Sequence, residues 1–438
     1  MPMSRGVTDE EPPALRSPGA WLRPVGVLVV IALVLVWLVG REGSHSTLLP
    51  PTSSSGVTEP ADAAGERDSL AVDALQRQGA ALNARSETGY LAAWDASTTA
   101  GQRRAQTTYA NLRALDIDAL EARYIAADTE PSRGAEQRLG GEAWTADVEV
   151  GYTVGGLSRR PAQIVVSYTF VVRQNRAFIV DVRAADGQRQ PIWTLGRLDV
   201  RRSARTLVAA TSEAAARRVS AHLEQAVTDV EAVLPGWRGT LVAYVPGSST
   251  ALESLLAAAP GSYDGVAAVT TTVDGSTRAG APVAIVVNAA VFDGLGPLGA
   301  HVVITHEATH AATNAAVVDM PLWVAEGFAD YVGVGAADVP FSVSARAVLR
   351  EIRATGVPAR LPRSPDFSAG RRGLEVSYEE AWLANRLLAQ TYGERRLVRF
   401  YTAVVRDPDQ VDAAFRDLGT TPEAFAQHWR DYLSRLVR

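Results

Sequence analysis

His306, Glu307 and His310 form the sequence His-Glu-x-x-His, and residue types at that spacing can hydrolyse a bond. Residues four apart share one face of an α-helix, so the two imidazoles can bind one zinc while Glu307 reaches the metal's open position. Catalytic zinc takes three protein ligands and keeps a fourth place for water, and two histidines with one glutamate are a standard set. Glu326 is the natural third ligand; it follows sixteen residues after His310, within Pro321-Leu322-Trp323-Val324-Ala325-Glu326-Gly327-Phe328-Ala329-Asp330-Tyr331. Pro321 suits the first turn of a helix and Gly333 the residue just past its end, which puts Glu326 and Asp330 on one face. From there Asp330 can accept a hydrogen bond from a zinc-bound imidazole, fixing its tautomer and raising its basicity. Taken singly these residues have ordinary readings, an acid on a solvated helix face or a histidine packed in a core. The joint spacing carries the chemistry.

His306-Glu307-x-x-His310 followed by Trp323-x-x-Glu326-Gly327-x-x-x-Asp330 resembles the gluzincin metallopeptidases, most closely the short peptidase MA-like domains, over about residues 205–438. The resemblance implies a mostly helical, zincin-like domain with a small edge-strand sheet. It also implies that Glu307 is the general base, that Glu326 completes the zinc ligands with His306 and His310, and that Asp330 supports a ligating histidine. The gap to the third ligand is shorter than in the large aminopeptidases, and no motif for binding a substrate amino terminus is present. In this group a Tyr or His on a later helix donates to the oxyanion of the tetrahedral intermediate, and Tyr378 resembles that residue. An aromatic side chain packed at a helix start would read identically.

The elements that must position these residues are legible nearby. Val283-Ala284-Ile285-Val286-Val287-Asn288 reads as a strand, and Gly294 to Gly299 leads through Pro297 into the motif helix. Gluzincins place an edge strand beside the zinc helix, where an extended peptide can add as a further strand, so a peptide groove is expected here. Gly294-x-Gly296-x-x-Gly299 also matches a dinucleotide fingerprint on paper, but the helix it opens carries the zinc ligands and no repeated βαβ units follow. Ser377-Tyr378-Glu379-Glu380 reads as a capping box opening a helix from Tyr378 to about Tyr392, with Gly393 past its end. Thr421 before Pro422 opens a final helix whose Phe425, Trp429 and Leu433 form an apolar stripe. His222, His301 and His428 have no partners at ligand spacing and read as structural or surface residues.

The chain has 438 residues, enough for two or three domains, with ordinary hydrophobic (47%) and charged (21%) fractions. A net charge of −5 gives no electrostatic reason to expect nucleic acid. All 43 basic residues are arginine, and there is no cysteine, which excludes disulfides and thiolate catalysis.

Residues 24–40 are an uninterrupted apolar run, about 25 Å long as a helix, flanked by Arg23 and Arg41 with Trp21 and Trp37 as interface anchors. Arg5, Arg16 and Arg23 precede it, so the positive-inside bias predicts a cytoplasmic N-terminus and an exported C-terminal bulk; no small-x-small cleavage site ends the run. A cleaved signal peptide is the alternative. Residues 41–68 are rich in Ser, Thr, Pro, Gly and Ala and read as a disordered tether. Beyond it, helical periodicity over Leu70–Ala93 and Ala105–Leu115 gives way to strands at Ala143–Val154, Ala162–Arg173 and Ala177–Val182, with Asn175 in a hairpin turn. That order, helices and then a curled antiparallel sheet, resembles the cone-shaped NTF2-like fold, which offers either a ligand cavity or a spacer.

The expected protein is thus an α+β, membrane-anchored, single-pass chain: tail 1–23, transmembrane anchor 24–40, linker 41–68, NTF2-like domain 69–202 and gluzincin domain 203–438. Its expected cofactor is Zn2+, its partners a peptide or protein substrate and the membrane but no nucleic acid, and its activity peptide hydrolysis at the outer face. The rival reading is a catalytically inactive zincin-fold binding or scaffold protein that recognises a ligand through its NTF2-like domain. Glu307 argues for the enzyme, since that residue has no part in holding the metal.

Overall fold

The computed structural model describes residues 61–127, 133–155, 160–368 and 371–438. Its first long helix, α1 (Ala61–Asn83), begins inside the stretch expected to be a tether. Alanine, glutamate and arginine are strong helix formers, and Asp68 is held in place as acceptor of the Tyr124 hydroxyl at 2.6 Å. Ala71, Ala74, Leu75, Gln78 and Leu82 recur at helical spacing and are buried. The helical pattern expected to run on to Ala93 breaks at Arg85, whose φ is 57°, and Ser86 caps a new short helix. The next long helix, α2 (Thr99–Ala114), starts at Thr98, whose side chain accepts from the Gly101 amide.

Four strands follow, β1 (Ile117–Ala127), β2 (Ala143–Val154), β3 (Ala162–Arg173) and β4 (Arg176–Ala184), paired antiparallel in that order. In β2 every second residue is buried, as a sheet with one face on a core requires. The β3–β4 turn puts both Gln174 (φ 50°) and Asn175 (φ 61°) in the left-handed region, the geometry that matches the twist of a two-residue hairpin. α1 packs across β1 and β4. Beneath the sheet Tyr168 donates to Gln78 Oε1 at 3.1 Å, and Gln78 Nε2 donates to the Tyr90 hydroxyl at 3.2 Å.

A second, five-stranded sheet is mixed. Its strands β5 (Asp199–Arg202), β6 (Thr206–Ala210), β7 (Leu241–Val245), β8 (Ala268–Thr272) and β9 (Val283–Val287) lie in the order β5-β6-β7-β9-β8. β6, β7 and β9 run parallel, with β5 and β8 antiparallel at the two edges. The strand expected at 283–287 is present, but it lies inside the sheet. The edge belongs to β8, which contains Thr270 and packs against the helix that follows β9 and against the 3-10 turn Ala315–Val317. β8 is thus the sheet's edge on this side, and all five of its residues are buried.

The C-terminal half is helical: after α3 (Glu213–Val233), which joins β6 to β7, come α4 (Pro297–Thr313), α5 (Leu322–Ala336), α6 (Arg346–Thr355), α7 (Leu374–Tyr392), α8 (Glu394–Arg406) and α9 (Pro422–Leu436). One apolar core is continuous from Ala71 to Ala308 and takes in both sheets and α4; a second runs from Ala315 to Leu433. The α9 stripe of Phe425, Trp429 and Leu433 is buried in the second core. α4 and α5 meet where the two cores adjoin.

Two helix boundaries differ from expectation. α7 starts at Leu374, after Gly373 turns the chain at φ 81°, so Ser377 and Glu380 lie inside the helix and form no capping box. Glu379 instead accepts from the Val348 amide at 2.7 Å and serves the first turn of α6. α5 runs past Gly333 to Ala336. Gly333 lies where a Cβ would stand 2.9 Å from the Val302 carbonyl oxygen of α4, so glycine is present for close helix approach and not for a stop. Gly327, on the α7 side of the same helix, has the Ala381 carbonyl and the Asn385 amide where its Cβ would be. Gly327→Ala is therefore expected to destabilise the protein by about 1–3 kcal/mol through overpacking, read as a lower denaturant midpoint at an unchanged slope.

No helix among the described residues is long and apolar enough to cross a membrane. The longest, α1, carries Glu66, Arg67, Asp68, Asp73 and Arg77, charges that cannot be left in hydrocarbon. The expectation of a membrane-anchored, single-pass fold with an extracytoplasmic bulk is corrected accordingly, to an α+β architecture with two small sheets and no membrane-spanning helix among the described residues. The tail 1–23, the apolar run 24–40 and the linker up to residue 60 lie outside those residues.

Candidate metal centre

α4 opens with Pro297 in its first turn and closes at Asn314, whose left-handed backbone (φ 56°) ends the helix one turn after His310. Between these ends it is buried on all sides, from Gly299 and Ala300 through Val302 to His310. His306 and His310 project from one face, their rings 4.7 Å apart and nearly perpendicular. α5, drawn close by Gly333, brings Glu326 and Asp330 to that face.

His306 Nε2 and His310 Nε2 stand 2.9 Å apart, and Glu326 Oε2 lies 3.2 Å from the first and 3.4 Å from the second. Ligand atoms about 2.0–2.2 Å from a tetrahedral metal stand about 3.3–3.6 Å apart. The two glutamate distances match that edge closely, and the histidine pair is slightly tighter. His306 Nδ1 is 2.8 Å from Asp330 Oδ1. A carboxylate can only accept, so Nδ1 carries a proton there and Nε2 is the ring atom turned toward the other two. Among the described residues these three side chains are the group able to hold a metal ion.

Three lone pairs cannot face one another so closely; a proton or a cation must lie between them. In the protein alone it is a proton. Burial works against the charged imidazolium of His306, but the Asp330 carboxylate, reinforced by Glu326, outweighs it and carries His306 up to about 10. Burial likewise opposes the Glu326 carboxylate, and His310 and His306 outweigh it, taking Glu326 down to about 2. A site that binds a proton this way is electrostatically prepared for a cation, and two imidazoles with a carboxylate suit zinc in particular.

Glu307 adjoins this cluster without being one of its three converging atoms. The Thr270 hydroxyl on β8 donates to its Oε2 at 2.7 Å, while Oε1 is buried and has no hydrogen-bond partner. Burial raises its pKa, against the pull of His306 and His310. Tyr378, on the second turn of α7, is 1% exposed with an unpartnered hydroxyl. Burial first, then the charges of Glu326, Asp330 and Glu307, hold that phenol well above its usual pKa, so it stays a donor.

The structure thus brings together His306, His310, Glu326 and Asp330, with Glu307 and Tyr378 adjoining. Thr270 was not foreseen, because three successive threonines at 270–272 carry only a strand signal in the sequence. His301 is not partnerless either: its Nε2 lies 2.6 Å from Asp229 Oδ2 on α3, which also accepts from Thr305 at 3.1 Å. That contact joins α3 to α4 just ahead of the ligands. Compared with known protein families, characterised proteins and solved structures, the chain matches none.

Proposed function

We propose that the chain is a zinc-dependent metallopeptidase of the gluzincin type, with zinc held by His306, His310 and Glu326. The observation that carries this reading is the convergence of His306 Nε2, His310 Nε2 and Glu326 Oε2 within 3.4 Å of one another, beside a buried Glu307 that takes no part in it. A purely structural metal site has no use for that carboxylate. Zinc, when bound, would supply Lewis acidity and lower the pKa of water at the centre.

The chain's own residues do the rest. Glu307 Oε1, free of any partner, takes a proton from the attacking water as the oxygen bonds to the peptide carbonyl carbon, and returns that proton to the nitrogen as the C–N bond breaks. The Tyr378 hydroxyl, buried and kept protonated, is a donor for the carbonyl oxygen as it gains charge. Asp330 holds the His306 ring in the tautomer that turns Nε2 inward. The test is metal analysis of the purified protein together with its incubation with a mixed peptide library. Zinc near one equivalent with chelator-sensitive cleavage supports the reading; a metal-loaded protein that cleaves no peptide overturns it.

One observation favours a second reading. Glu307 is 1% exposed and all five β8 residues are buried, so a metal-binding scaffold without turnover accounts for the burial as well. The same library experiment separates the two.

Metal uptake is also expected to release protons. His306, held protonated up to about 10 without metal, must give up its proton to become a ligand at pH 7. Protons therefore favour the metal-free form, and zinc affinity falls as pH falls. Calorimetric zinc titrations at pH 7 in buffers of differing ionisation enthalpy are expected to report release of about one proton. A slope of zero would contradict the assignment of His306.

A further inference from the structure

We propose that Thr270 is the positioning residue for the Glu307 carboxylate, fixing Oε2 so that Oε1 is the oxygen that handles the proton. The inference rests on the peptidase reading and adds to it a residue that the motif does not contain. Thr270 Oγ1 has one proton and two acceptors in reach, Glu307 Oε2 at 2.7 Å and the Glu307 backbone carbonyl at 2.9 Å. The carbonyl of a mid-helix residue already accepts the amide four residues on, and the carboxylate is both nearer and charged, so the proton goes to Oε2.

The hydroxyl is held from behind. Threonine is β-branched and stiff about χ1, and Thr270 is buried in β8, where it pairs with Ile285 of β9. A slip of one residue along that pairing would turn the hydroxyl to the opposite face of the sheet. The register of an antiparallel edge strand thereby sets the orientation of a side chain on α4. With Oε2 engaged, Oε1 is left buried and unpartnered beside the ligand cluster. A glutamate without this contact could rotate and present either oxygen, and small misplacements of a reacting group cost much of the rate.

The test is steady-state kinetics on full-length, zinc-loaded protein, using a peptide that the wild type cleaves. Thr270→Val keeps size and branching and removes only the donor; kcat is expected to fall about 10–100-fold with KM within about twofold and zinc content unchanged. Thr270→Ser, which restores the hydroxyl, is expected to recover most of kcat. In a Glu307→Gln background, Thr270→Val is expected to cost nothing further, because its effect passes through that carboxylate. Wild-type kcat in Thr270→Val, an equal loss in Thr270→Ser, loss of zinc, or a full further loss in the double variant would each overturn the proposal. If the wild type cleaves no peptide, it is the peptidase reading that fails. Thr270 is then judged by a crystal structure of Thr270→Val, in which Glu307 is expected to leave its present rotamer and an unmoved carboxylate refutes the assignment.

Discussion

Glu307→Gln is expected to lower peptide hydrolysis about 10²–10⁴-fold while zinc content and melting temperature stay at wild-type values. The amide has the size of the carboxylate and keeps an oxygen for the Thr270 hydroxyl, so packing and the β8 contact survive. The ligand set is untouched, since Glu307 Oε2 is bonded to Thr270 and Oε1 makes no hydrogen bond to the ligands. What is lost is the ability of Oε1 to take up a proton and give it back. Zinc analysis, a thermal melt and initial rates on the most rapidly cleaved library peptide measure the three quantities. Wild-type rates in the variant would mean that hydrolysis is performed by other residues.

The second large effect concerns the metal. Glu326→Ala is expected to abolish stable zinc binding, and activity with it, because it removes one of three ligand atoms and leaves His306 Nε2 and His310 Nε2 facing each other at 2.9 Å. Asp330→Asn provides the comparison. It leaves all three ligands in place and weakens only the hydrogen bond that orients His306, so zinc affinity is expected to fall by the roughly 10–100-fold typical of such supporting contacts. Competition against a chromophoric chelator ranks the three proteins. Equal affinity in Glu326→Ala and wild type would remove Glu326 from the ligand set.

In the metal-free state both variants weaken the hold on the His306 proton, to which Asp330 and Glu326 both contribute. Metal-free Glu326→Ala lacks the carboxylate that, together with Asp330, holds His306 protonated, so the proton that stands in for the metal is bound less tightly there than in the metal-free wild type.

Residue spacing alone fixes the pieces of the site that depend on local geometry. Histidines four apart are neighbours in any α-helix, so His306 and His310 could be paired from spacing alone. Pro297 before the motif and Thr421 before Pro422 marked helix starts for the same local reason, and the alternation in Ala143–Val154 follows from a pleat with one buried face. Glu326 and Asp330 share a face at any position that α5 might occupy.

Where α5 lies is set by packing against helices distant along the chain. Gly333 reads as a helix stop in one dimension, yet in the fold it and Gly327 are the points where α5 touches α4 and α7 without a side chain between. The capping box at Ser377 failed because Gly373 offered an earlier turn, which leaves Ser377 and Glu380 inside α7. The strand at 283–287 was legible as a strand, but whether it lies at an edge depends on what pairs on its far side, and β8 does so from fifteen residues earlier in the chain. That pairing is also what brings Thr270 to Glu307. A hydroxyl at 270 and a carboxylate at 307 have no relation in sequence; sheet register and helix packing together create one, and the physical reason is that each is fixed only by contacts remote along the chain.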